Sequence, residues 1–144
     1  MDEAVTESPP APRWFTIAAI AALLFELGGC ALFAMQMKVD RNALPLDQRA
    51  MWDAAPIWMI VAYAVAVTTG LMGAILLLLR RDLAEKALLI SLVAILVQFS
   101  ALLAVPQLRN LTTSDDLFLP FVIIVVSYLV WHFARRARRS GWLR

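Results

Sequence analysis

"AALLFELGGCALF" (residues 21–33) sets one acid, Glu26, in the middle of an unbroken apolar run. Extended to Trp14 and Met37, the run is long enough to cross about 30 Å of hydrocarbon at about 1.5 Å per helical residue. Hydrocarbon cannot solvate a carboxyl group, so Glu26 has to face something other than lipid. Three further apolar runs follow, over residues 56–79, 87–105 and 117–133. They are continuous rather than alternating, which excludes the strands of a membrane barrel. A helix satisfies its own backbone polar groups in a dry medium. The pattern therefore predicts an all-α integral membrane four-helix bundle over residues 14–134. A disordered cytoplasmic tail is expected over residues 1–13, and a basic cytoplasmic tail over 135–144.

Composition agrees. Of the 144 residues, 62% are hydrophobic and 17% charged; soluble domains run at about half and about a quarter. The net charge of +2 is no nucleic-acid signature, because the basic residues cluster at the ends of the apolar runs. The acidic start "MDEAVTESPPAPRW" (1–14) lacks the features of a secretory signal.

The 13 Lys and Arg residues give the orientation. Arg13, Arg80, Arg81, Lys86, Arg135, Arg136, Arg138, Arg139 and Arg144 fall on one side of four spans. Lys38, Arg41, Arg49 and Arg109 fall on the other. The richer side is expected to be cytoplasmic, with both termini inside, in a bacterial inner membrane. Trp14, Trp58 and Trp131 sit near span ends, where the amphipathic indole ring belongs.

The connections are also readable. Residues 38–55 have room for a short surface helix, and "RRDLAEK" (80–86) reads as a tight hairpin. Residues 106–116 read as a loop in which Ser114, Asp115 and Asp116 prepare the fourth span. The ending "RRARRSGWLR" (135–144) predicts an anchor on anionic lipid.

Inside the bundle, Ala18, Ala22, Glu26 and Cys30 repeat every fourth residue, with Gly29 beside them. Ala62, Ala66 and Gly70 do the same in the second span, flanked by Gly73. Small residues in this register let two helices approach closely, so these faces are expected to pack together. Thr68, Thr69, Gln98, Ser100 and Ser127 lie at depths near that of Glu26. Together they predict a polar layer, in which a threonine hydroxyl or the Gln98 amide satisfies the carboxyl. No Lys or Arg lies inside a span to pair with Glu26, so the acid is expected to be protonated, or nearly so, at neutral pH. Cys30, Glu26 and His132 differ too much in depth to form a metal site. No phosphate loop, nucleophile elbow or paired carboxylates are present, so neither an enzyme nor a cofactor is expected.

"LPLDQRAMWDAAPIW" (44–58), "GLMGAILLLLRR" (70–81) and "ARRARRSGWLR" (134–144) together resemble a family of small four-span bacterial membrane proteins. Its members have no assigned chemistry and are often labelled automatically as sugar transporters. In that family asparagine tends to stand near the position of Glu26, which implies a packing role for the polar group.

Two functions follow from these readings. The first is a non-catalytic accessory or interaction subunit, in a homo-oligomer or a larger membrane complex, with the polar layer as interhelical glue. The alternative is a small-solute or proton-coupled transporter in which Glu26 carries the proton.

Overall fold

The computed structural model describes residues 9–144. The expected tail over residues 1–13 lies largely outside them. Every regular element among the described residues is helical. Four helices are long and apolar enough to cross a membrane, the architecture of a multi-pass membrane protein. They are α1 (Arg13–Lys38), α3 (Ile57–Leu78), α4 (Leu83–Ala104) and α6 (Phe118–Arg139). Two short helices, α2 (Leu46–Ala54) and α5 (Pro106–Leu111), lie in the connections.

Proline starts several of these elements. Pro12, Pro45 and Pro56 stand at the N-caps of α1, α2 and α3, and Pro106 is the first residue of α5. A proline there forfeits no helical hydrogen bond, and its fixed φ is already that of a helix. Before α6 the cap differs from the expected one. The Ser114 side chain makes no cap bond. Instead the Asp116 carboxylate accepts from the Thr113 backbone N–H at 2.9 Å and from its hydroxyl at 2.7 Å.

The α3–α4 hairpin is the tightest pairing. Arg80 adopts φ 58° and ends α3: its N–H donates to Leu77 O at 3.0 Å, and that of Arg81 to Leu76 O at 2.8 Å. This is the Schellman pattern, which a glycine usually occupies. Gly141, at φ 72°, closes α6 in the same way.

The helices pack in sequence, α1 on α3, α3 on α4 and α4 on α6, while α2 rests on α5. The stripe on α3 serves two neighbours at once. On its α1 side, Cys30 Sγ lies 3.4 Å from Val67 O. On its α4 side, a Cβ at Gly73 would stand 2.7 Å from Leu88 Cγ and 3.0 Å from the Leu88 backbone nitrogen. Ala62, Ala66, Gly70 and Gly73 are all buried. On α1 the buried line runs through Phe15, Ala19, Ala22 and Glu26. It passes Ala18 by one position, leaving Ala18, Gly29 and Cys30 half-buried.

The start of α1 and the C-terminus lie at one end of the bundle, and that end is closed. Phe15, Leu77, Ala84, Leu88, Ala134 and Leu143 share one core there. The rings of Phe15 and Phe133 are 5.4 Å apart, and those of Trp14 and Trp142 are 5.6 Å apart. The segment read as a basic tail is built into this plug. The fourth helix continues to Arg139, and the chain then turns back. The Arg144 N–H donates to Arg80 O at 2.6 Å, and Asp82 N–H donates to Arg144 O at 3.0 Å. Arg138 Nη1 meets Glu85 Oε2 at 2.6 Å.

Candidate functional site

Glu26 sits just beyond the plug. It is 6% exposed, on the face of α1 turned to α3. Gly70 makes room for it. A Cβ at Gly70 would overlap Glu26 Oε2 and stand 2.8 Å from Ser91 Oγ. The missing side chain of Gly70 is thus the seat of the carboxyl group. Ser91, on α4, is 2% exposed and donates to Ala66 O at 2.8 Å, tying α4 to α3. Such a bond contributes about 1 kcal/mol between membrane helices.

From this level a cavity of about 730 Å³ opens toward α2 and α5. Glu26 and Gln98 give it polar groups deep between the helices; Gln98, on α4, is 7% exposed. Its walls are largely apolar and aromatic, with Phe25, Met59, Tyr63, Phe99 and Leu102 among them. Trp52, Gln48 and Asp116 line it near the short helices. On one flank the wall is divided between Leu24, Gly28 and Leu32 of α1 and Leu119, Val122 and Ile123 of α6. Those α1 and α6 residues include exposed side chains, notably Leu24, Leu32 and Leu119. The two helices touch at the plug through Phe15 and Phe133, and beyond it both contribute to the cavity wall.

Several residues predicted for the polar layer lie elsewhere. The Thr68 hydroxyl is exposed and donates to Ala64 O of its own helix at 2.7 Å. Thr69 donates to Val65 O at 2.6 Å, and Ser100 to Val97 O at 2.6 Å. These hydroxyls satisfy local carbonyls and leave the carboxyl alone. Ser127 is buried, but its Oγ has no partner, and neither does the buried Nε1 of Trp131. Neither residue lines the cavity. Among the described residues no hydrogen-bond partner is found for the side chains of Glu26 and Gln98. Of the predicted layer, the structure therefore places Glu26 and Gln98 on one cavity wall, and Gly70 and Ser91 form the seat of Glu26. Ser91 went unread because a hydroxyl inside "LLISLVAIL" (88–96) looks incidental. Its spacing of seven from Gln98 places both on one helical face.

Among the described residues no three His, Cys, Asp or Glu side chains gather where they could hold a metal ion. His132 is exposed and stacks on Tyr128, with ring centroids 6.0 Å apart. Comparison with family models, with curated proteins and with solved structures finds no match to this chain.

Proposed function

We propose that this chain is a non-catalytic small-solute transporter, or the solute-binding part of one, in a bacterial inner membrane. The observation that carries this reading is the cavity, with two unpaired polar side chains deep inside and a packed plug beneath. Interhelical glue requires Glu26 to bond a donor on another helix. Here the carboxyl rests on Gly70, and the nearby threonines bond their own helix. A cavity closed at one end and open at the other is one half of an alternating-access cycle, with Glu26 as the group able to carry a proton. Nine of the 13 Lys and Arg residues lie at the plug end. By the positive-inside rule that end, with both termini, faces the cytoplasm and the cavity faces outward. Exposed Arg136 and Arg139 then meet anionic lipid.

The exposed apolar side chains on that flank, Leu24 and Leu32 of α1 and Leu119 of α6, favour a second reading. An accessory subunit, in a homo-oligomer or larger complex, would accept a partner's helix against them.

Cysteine labelling in sealed, oriented membrane vesicles tests the proposal. In a Cys30→Ser background, Gln48→Cys and Met59→Cys are expected to react with an impermeant maleimide from the outer face only. Ser140→Cys is expected to react from the cytoplasmic face only. Reaction of Gln48→Cys from the cytoplasm reverses the topology. Failure of Met59→Cys to react from either face means that the space is filled, as the accessory reading requires.

A further inference from the structure

We infer that the ligand of this cavity is a lipophilic organic cation, which displaces a proton from Glu26; this rests on the solute-binding reading above. The formal charges on the cavity wall carry the inference. Glu26 and Asp116 line it, and no Lys, Arg or His does so among the described residues. The charged groups on the wall itself are thus acids, which favour a cation, while the Arg41 guanidinium stacks on the Trp52 ring at the rim, 5.4 Å from its centroid.

The depth of Glu26 sharpens this selection. An ionised carboxylate out of water needs a counter-charge or a proton. The protein supplies no counter-charge in the cavity, so either a proton or a cationic ligand has to occupy the carboxyl. The rest of the wall suits a cation with apolar substituents. Phe25, Tyr63 and Phe99 place aromatic rings on the wall, and the negative quadrupole of such a ring attracts a positive centre by about 2 kcal/mol once water is removed. The volume of about 730 Å³ lies within the range of drug-sized ligand sites, about 300–1,000 Å³. Other ligand classes fit less well. An anion would meet two acids and no base. A sugar needs many hydrogen-bond partners, and the deep part of the cavity offers Glu26 and Gln98. A neutral hydrocarbon would leave both of those groups unpaired. Leu24 and Leu32 of α1 and Leu119 of α6, exposed and apolar, give a lipophilic molecule a wall continuous with the bilayer side of the helices.

The exchange balances in charge: the carboxyl group releases one proton as one cation seats against the carboxylate. The other titratable groups on the same helix face or cavity wall are Cys30 on α1, Tyr63 on α3 and, exposed at the start of α6, Asp116. From α4 the facing groups are Ser91 and Gln98, which do not titrate in this range.

Tetraphenylphosphonium and its isosteric anion tetraphenylborate separate charge from greasiness. In calorimetric titration of the full chain in detergent, the phosphonium is expected to bind and the borate not to. Proton and cation compete for one carboxylate, so affinity should rise with pH. The expected gain between about pH 5.5 and about pH 8.5 is at least about tenfold. In weakly buffered solution below the carboxyl's titration, binding should release up to one proton per cation. Glu26→Gln should weaken binding by about tenfold or more and abolish its pH dependence, while Glu26→Asp should retain that dependence. Equal binding of the two ions, or undiminished binding by a folded Glu26→Gln protein, overturns the inference. If Glu26→Gln does not fold, the wild type decides: binding without proton release overturns it. Absence of phosphonium binding while Met59→Cys still reacts from outside removes the cation and leaves the solute site. Absence of both removes the solute site as well.

Discussion

Gly73→Ala is expected to destabilise the detergent-solubilised protein by about 1–3 kcal/mol, read as a lowered thermal midpoint. The added methyl would stand 2.7 Å from Leu88 Cγ and 3.0 Å from the Leu88 backbone nitrogen. A side chain can rotate away, but a helix backbone cannot move without separating α3 from α4. Close backbone approach also carries most of the attraction here, because lipid tails are as apolar as the side chains they replace. Two other glycines calibrate the effect. Gly28→Ala meets nothing within 4 Å and should not lower the midpoint. At Gly70 the new methyl meets the far end of the Glu26 side chain, which can swing into the cavity, and the buried Ser91 hydroxyl at 2.8 Å. Gly70→Ala should therefore disturb both ligand binding and the Ser91–Ala66 tie between α4 and α3.

Phe15→Ala is expected to cost about 3 kcal/mol and to loosen the plug. Phe15 is 1% exposed, against Phe133 and Trp142 and beneath the Arg80 guanidinium, 5.8 Å from the ring centroid. In a bilayer little of that cost is hydrophobic transfer. It comes from a void that lipid cannot fill, whose walls no longer have the ring to attract them by dispersion. Because the plug closes the cavity at the terminal end, the variant should also admit an impermeant thiol reagent to Met59→Cys from the cytoplasmic face. A midpoint within about 0.5 kcal/mol of wild type, with access still one-sided, would show that Phe15 does not hold this end shut.

The helices were legible because each apolar run is continuous, of spanning length and bounded by proline or charge. The burial of Glu26 was legible from its small neighbours at four-residue spacing. What could not be read was direction around each helix. Thr68 lies near the depth of Glu26, but two residues from Gly70 is about 200° around the axis, so its hydroxyl points outward. Ser100 stands in the same relation to Gln98. Depth without azimuth therefore gathered groups that the fold disperses. The cavity was hidden for a different reason: it depends on how α1 and α6, which touch at the plug, are placed beyond it, and no local pattern sets that. The docked C-terminus did leave a local signal. Gly141 followed by Trp142 and Leu143 is a helix stop with an apolar return, yet the surrounding arginines point equally to lipid.

The central claim is that the Glu26 carboxyl is free of partners and reachable through the cavity. Its most direct test is modification of native membranes with dicyclohexylcarbodiimide, mapped by mass spectrometry. That reagent adds to protonated carboxyl groups in apolar surroundings that it can enter. The expected result is an N-acylurea adduct on Glu26, suppressed when tetraphenylphosphonium is present. An unmodified Glu26 after exhaustive treatment, with carboxyl groups of the loops modified in the same sample, would contradict the account.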